Sequence, residues 1–481
     1  MTIEMDDLER PDGRPASLGR VLALSGPMIV ATVSHTVMQF VDFAMVSQLG
    51  TAAQAAVSPA GMAVFLPIAL GIGTMTAVNT FASQALGRGR LSECSAYAWQ
   101  AVWVALAGGL LPVPLALGAV PFWRWVGHEA PLQPLEVAYS QVLLLSVLPA
   151  MLAHALSNFF NGIHRPMVMM IAALASNALN VLFNWLLIFG HWGLPRLEIA
   201  GAAWGTVLGR WSAVAILAGA FLSPRVHARF ASRATWRPVG RKLIGFLRVG
   251  IPAGAQHIGE LSAWTVWTLW LVGQFGKVAQ AASNVAMQFV HLSFMPAIGL
   301  GIALTALVGR AIGAGDREHA VHYTRQALAL AMGYMGLVGA SYVVFGRALM
   351  GWLSDQPEVI GLGVQILWLA AAFQLFDALG IVHSFALRGA GDTFWPAVYM
   401  VGLSWLLNVG GGIIITRTLP QLGVIGPWIM GTSCVILVGL SMWLRFAAGA
   451  WRRIDIFKTA PEPVLLATAE IDTRAPGDRH V

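Results

Sequence analysis

The chain has 481 residues, 57% of them hydrophobic and 11% charged, with a formal net charge of +7. A soluble domain carries about 25% charged residues, so this chain lacks the charge to cover a water-facing surface, and a soluble enzyme is excluded. A nucleic-acid binder is excluded as well, because the basic excess follows the loops of a membrane protein.

In chain order, the first 17 residues hold Glu4, Asp6, Asp7, Glu9 and Asp12 and no apolar run. No cleavable signal peptide is therefore expected, and insertion begins with the first span. Uncharged runs follow at 43–87, 94–123, 278–309 and 418–444, with 45, 30, 32 and 27 residues. About 20 apolar residues cross the hydrocarbon core, so the first run crosses twice. Splitting the chain at charges, Gly/Pro clusters and polar turns predicts twelve helices, at 18–46, 54–83, 92–120, 132–160, 166–190, 199–223, 243–273, 279–308, 319–346, 358–387, 394–417 and 424–450. The expected fold is all-α and integral to the membrane, with twelve transmembrane helices. Cys94 and Cys434 fall in or beside apolar stretches and read as buried thiols rather than a disulfide framework.

Loop charge orients the spans. With both termini in the cytoplasm, 23 of the 29 basic residues lie on the inner side. Arg124, Arg196, Lys277, Arg347 and Arg417 lie outside, and Arg210 lies within a span. That asymmetry obeys the positive-inside rule, and an odd number of spans would spoil it. Trp123, Trp125 and Trp192 are expected near outer ends, in interfacial belts.

The sequence repeats itself at a spacing of about 226. Pro27 faces Pro252, QALGRG at 84–89 faces RAIGAG at 310–315, and Asn161-Gly162 with Pro166 faces Arg388-Gly389 with Pro396. GAAWGT at 201–206 faces GPWIMGT at 426–432. Four matches in order predict a duplicated six-helix unit, and an even span number makes the two copies parallel. The expected organisation is a cytoplasmic tail 1–17, a first lobe 18–223, a basic linker 224–242, a second lobe 243–450 and a cytoplasmic tail 451–481. Two lobes around a cavity suit a carrier working by alternating access. The linker reads as a solvated face or a contact for lipid headgroups.

Three of the 22 acidic residues, Asp42, Glu260 and Asp377, are read as intramembrane. A charge at mid-bilayer costs about 2.5–3.5 kcal/mol, so each needs a partner, a proton or a purpose. Two carboxylates close together in a dry cavity titrate as a coupled pair, which is what a proton or sodium coupling site requires. Gln256 and His257 lie one turn before Glu260, and Phe373 and Gln374 one turn before Asp377. His35, Gln39 and Asp42 share one face of the first helix, and Asn177, Asn180 and Asn184 form a stripe on the fifth. Asn158, Asn161, Thr206 and Gln288 are further polar candidates for glue or cavity. Arg210 pairs with a carboxylate or snorkels. Trp264 and Trp267 follow Glu260 at helical spacing, suited to a core or to cation–π contact with an organic cation.

These residues resemble the multidrug and toxic compound extrusion (MATE) family, in its NorM-like bacterial branch, over about residues 20–450. The resemblance is carried by FVDFAMVSQLG at 40–50, Gln84 with Gly87, NGIHRP at 161–166, NALNVLFNWLLIFG and GAAWGT. In the second lobe it is carried by Pro252 with Glu260, SFMPAIGLGIALTALVGRAIGAGD at 293–316 and FQLFDALGIVHSFALRGAGDT at 373–393. It implies a transporter, not an enzyme, that exports aromatic organic cations in exchange for H+ or Na+ without a cofactor. It places coupling carboxylates at Glu260 and Asp377, where Na+ would sit, and a proton-linked aspartate at Asp42, supported by Asn180 and Asn184. Phe373 stands where NorM-type proteins carry a tyrosine; the missing hydroxyl tilts the expectation towards protons.

The alternatives are a lipid-linked oligosaccharide flippase of the same superfamily, which would favour basic cavity residues, and a membrane-embedded prenyltransferase. The latter needs clustered aspartates for magnesium pyrophosphate, and no such motif occurs in a predicted loop. The expected setting is the bacterial inner membrane, among membrane lipids, with a functional monomer and no nucleic-acid partner.

Overall fold

A computed structural model describes residues 18–110, 112–127, 129 and 131–458. The predicted tail 1–17 and positions 459–481 of the other tail lie outside the described residues. The described residues are helical, with no strand. The first half comprises α1 (Leu18–Ser47), α2 (Thr51–Met75), α3 (Ala77–Gly87), α4 (Leu91–Gly108), α5 (Pro112–Leu117), α6 (Ala119–Val126), α7 (Gln133–Leu144), α8 (Val147–Gly162), α9 (Pro166–Phe189) and α10 (Glu198–Phe221). After α11 (Pro224–Phe230) come α12 (Gly240–Val266), α13 (Gly276–Gly313), α14 (Arg317–Leu353), α15 (Pro357–Ala390), α16 (Phe394–Leu403), α17 (Gly412–Thr418) and α18 (Ile425–Ala447).

By length and apolarity, eight stretches of the described residues can cross a membrane, or ten when two bent pairs each count as one span. One stretch, Gly240–Gly313, has 74 residues and makes two passes. Along α12, Gly250 packs on Thr74 and Gly254 on Leu70, so α12 runs against α2. Along α13, the Ile302 carbonyl accepts from Asn79 and Gly309 packs on Ser83, so α13 runs with α3. The reversal falls at Gly276, whose φ of 85° suits glycine. With α4, this is consistent with twelve spans.

Several predicted helices differ in detail: those expected at 54–83 and 132–160 are each broken in two, after Met75 and after Leu144, and the one expected to end at 346 runs on to Leu353. The helix expected at 92–120 stops at Gly108, because Gly109, Pro112 and Pro114 interrupt it. The helix expected at 243–273 becomes a π-helical turn at Trp267–Leu271, and the one at 394–417 does so at Ser404–Gly411. The helix expected to end at 387 runs on to Ala390, so Arg388 is a helical residue rather than a loop residue.

Burial concentrates at one end of the bundle. Every residue of α3 from Ala77 to Ala85 is buried, as are nearly all of 299–309 in α13 and 382–390 in α15. The outer half of α1 alternates instead, and His35, Gln39, Phe40 and Phe43 are exposed. The two halves of the molecule meet at that buried end, which also carries the basic loops. Thr80 donates to the Arg388 carbonyl at 2.9 Å and Gln84 to the Gly389 carbonyl at 2.9 Å. His164 meets the Ala306 carbonyl at 3.2 Å. The repeated loops pack on each other reciprocally: a side chain on Gly87 would strike the Arg310 backbone, and one on Gly313 would strike the Gln84 backbone. Gln84 and Arg310 occupy equivalent repeat positions, so the seal is a pseudo-twofold contact of a protein with its own copy.

Two further segments bind the halves together, the chain after α18 on α3 and α4 and the linker on α4. The linker docks its backbone there: Trp99 donates to the Ser232 carbonyl at 2.6 Å, Trp103 to the Trp236 carbonyl at 2.7 Å, and Gln100 accepts from Val239 at 3.0 Å. The chain returns after α18. Trp451 stacks on Phe446 at 5.1 Å, and Phe457 sits edge-on to Phe81 and Tyr97 at 5.7 and 5.6 Å. This clasp carries the Arg88–Asp455 ion pair at 2.7 Å.

Candidate functional site

Each half encloses a carboxylate and a guanidinium inside the bundle. In the first, Asp42 of α1 accepts a hydrogen bond from the Asn184 amide of α9 at 2.7 Å, and the same amide lies 3.5 Å from the Asn180 oxygen. Both asparagines are buried. They reach this depth because α10 presents glycines at every fourth residue: Gly201 lies against the Leu187 carbonyl, Gly205 against Asn184 and Gly209 against Asn180. Such small-residue spacing lets membrane helices approach closely. The Asn184 side-chain oxygen has no hydrogen-bond partner, an acceptor left beside a carboxylate. Arg210 of α10 is within electrostatic reach of Asp42 and of Tyr139 in α7. It is held by Ser146, whose Oγ accepts at 2.6 Å, so it is fixed inside the protein and does not snorkel.

In the second half, Glu260 of α12 lies within electrostatic reach of Asp377 and Arg388, both on α15, and of Cys434 in α18. Arg388 is buried. It donates to the Gln256 oxygen at 3.5 Å and lies over the Phe385 ring at 4.9 Å. A buried charge left alone is strongly destabilising, and Glu260 is the carboxylate within electrostatic reach of Arg388. The two guanidiniums are not repeat partners; each half draws its cation from a different helix. Elsewhere in the second half, Asn408 is fully buried in the second π-helical turn with neither side-chain polar atom bonded, and the Thr432 hydroxyl is also unpartnered. Single π turns recur at functional positions.

The other predicted residues divide. Asn177 donates to Ser34 at 2.8 Å and ties α9 to α1, and Asn158 and Thr206 spend their donors on carbonyls four residues back in their own helices. Asn161 is buried at the seal end of α8, away from the carboxylates. Phe373 lies in an apolar cluster with Trp267 and Tyr342, and Gln374 donates to Ser293 at 3.0 Å. Trp267 belongs to that core, edge-on to Trp264 and Trp428. Gln288 is exposed on α13. Trp123, expected at the interface, is buried with its indole on Ser140 at 3.0 Å. Trp125 and Trp192 are exposed.

Sequence reading missed three residues. Arg388 looked like a loop charge. Glu136 is fully buried in the first turn of α7, beyond the three carboxylates singled out. His154 of α8 lies within electrostatic reach of both His35 of its own half and His257 of the other. Among the described residues no three His, Cys, Asp or Glu are placed to hold a metal ion.

A multi-pass helical protein with charged groups enclosed in two duplicated halves is a membrane transporter. The chain belongs to the MatE family, whose model matches residues 27–186 and 260–414. It is similar to the "Probable multidrug resistance protein NorM" of Mesorhizobium japonicum, 30% identical over 88% of this chain and 93% of that one. It is similar to the protein of the same name from Geobacillus kaustophilus, 30% identical over 91% and 96%. In fold it matches the outward-facing conformation of a multidrug resistance MATE family transporter of the MOP superfamily, with a TM-score of 0.83 at 19% identity, covering 94% of this chain and 100% of that one. It is a transporter, not an enzyme, and the fold and relatives support multidrug efflux.

Proposed function

We propose that this protein is an antiporter that exports organic cations in exchange for protons, with Na+ as the alternative coupling ion, by rocking its two lobes about a central cleft. The observation that carries this reading is the enclosure of a carboxylate beside a guanidinium in each half: Asp42 near Arg210, and Glu260 with Asp377 near Arg388. The guanidinium offsets one negative charge. In the second lobe that leaves one carboxylate to be neutralised by a proton, a coupling cation or the substrate, so their occupancies compete. Exchange of one monovalent organic cation for one coupling cation moves no net charge, so the chemical gradient alone drives it.

The asymmetry of basic residues supports placing the sealed end in the cytoplasm of a bacterial inner membrane, with both termini inside and the cleft opening outward. Because one chain contains both lobes, a monomer suffices. Phe373 in its apolar cluster offers no oxygen to sodium, which favours protons. Acidic groups outnumbering basic ones in the second-lobe site weigh against a pyrophosphate-carrying flippase.

The test loads ATP-depleted inverted vesicles with a fluorescent organic cation and imposes proton and sodium gradients separately. Accumulation driven by protons and abolished by Glu260→Gln supports the proposal. Transport by Glu260→Gln at the wild-type rate, or none under either gradient, refutes it.

A further inference from the structure

α14 and α18 both pack on α15 and leave between them a cavity of about 430 Å³ at the basic end of the bundle. Its inner wall is apolar, from Leu328, Phe446 and Ala447, and His383 of α15 forms part of it. One nitrogen of His383 donates to the Leu379 carbonyl at 2.8 Å, which leaves the other ring nitrogen as an acceptor. At the rim stand Arg325, Arg452 and Trp443. Among the described residues Arg325 has no ion-pair partner, and Arg452 has Glu318 at 3.7 Å, a carboxylate 83% exposed and weakly held. Trp443 is exposed on the bundle's outer face, where tryptophans mark the membrane–water boundary.

We propose that this cavity holds one anionic phospholipid: its phosphate between Arg325 and Arg452, a headgroup hydroxyl donating to His383, and the start of an acyl chain along Leu328 and Phe446. Charge complementarity selects this occupant. Two exposed cations, with Trp443 beside them, stand over a cavity lined by Leu328, Phe446 and Ala447, and a basic pocket between helices at the cytoplasmic surface is a recognised form of lipid site. A soluble anion would use the arginines but not the apolar wall. None of its lining residues belongs to the Asp42 or Glu260–Asp377 groups.

The test is native mass spectrometry of the full-length protein in detergent, titrated with phosphatidylglycerol or with phosphatidylcholine of the same chains. The expected result is one phosphatidylglycerol bound tightly, without a phosphatidylcholine counterpart and undisturbed by inorganic phosphate. Arg325→Ala with Arg452→Ala should weaken it roughly 30-fold, and Arg325→Lys with Arg452→Lys, which keeps both charges, should restore most of it. Thermal unfolding in detergent shows whether each variant is folded. Equal binding of the two lipids, equal binding by wild type and the folded alanine variant, or displacement by millimolar phosphate overturns the proposal; the last would make this a site for the free anion.

Discussion

Arg88, at the end of α3, and Asp455, beyond the last transmembrane helix, form an ion pair at 2.7 Å although 367 positions separate them in the chain. The Arg88 guanidinium also lies over the Phe457 ring at 4.4 Å, so one side chain holds both the charged and the aromatic residue of the returning segment. The clasp is thereby fixed to the first half by Arg88, Phe81 and Tyr97, and to the second by Trp451.

Phe457→Ala is expected to release this clasp. Removing a buried aromatic side chain costs about 3–5 kcal/mol, and here the loss is local to the basic end. Hydrogen exchange should accelerate in 78–98 and 450–457 and stay unchanged in the outer half of α9. Equal acceleration everywhere would mean that the segment supports the whole fold instead.

The same ion pair fixes a pH expectation. Burial works against ionised Asp455, but the Arg88 hydrogen bond, the Phe457 amide and the charges of Arg88 and Lys458 outweigh it, and its carboxyl lies below its ordinary value of 3.8. A depressed acid contributes stability that is complete above its unfolded value and is lost only as pH falls through the folded one. Intrinsic-rate-corrected exchange at the clasp should therefore be flat from about pH 5 to 8. A transport rate that varies in that window would have to draw its titration from other groups.

Gly87→Ala and Gly313→Ala are expected to weaken the seal to a similar degree, because each drives a methyl into the backbone of the opposite repeat. Overpacking costs about 1–3 kcal/mol, enough to shift the conformational equilibrium roughly tenfold. Spin labels at Ser92 and Arg317 should report a longer distance between the halves in both variants. The double variant should fall short of the sum, since one opened gap relieves both clashes.

Arg445→Ala tests the buried pair below the second lobe. Arg445 donates to Asp392 at 2.8 Å, and Asp392 is 3% exposed. Leaving that carboxylate without its partner should cost about 3–5 kcal/mol. Adding Asp392→Asn should recover part of the loss, measured by thermal unfolding in detergent. No recovery would show that Arg445 matters through its packing on Trp395.

The spans, the repeat and the enclosed carboxylates were legible because each rests on a local rule. An apolar run of a given length crosses a bilayer, and a charge inside one stands out, as Asp42 and Glu260 do. Arg388 was hidden because its visibility depended on where a helix ends, and an RGAGD sequence reads as a turn. The clasp was hidden because Asp455 and Phe457 sit in a polar, charged tail, and only the fold reveals the aromatic slot they enter. The π-helical turn around Asn408 has no period of its own and arises from packing against α12 and α18.

The neighbouring helices α3 and α4 receive both the linker that leads into the second half, on α4, and the clasp that leads out of it, on Phe81, Arg88 and Tyr97. The second half is thus a closed loop of chain whose entry and exit are pinned side by side on the first. A body held at two neighbouring points can swing about the line through them but cannot slide away. Any rocking of the halves would then be a rotation with its fulcrum at the sealed end, where α3 gives way to α4, and the largest displacements would fall on the ends of α12 and α18 remote from it.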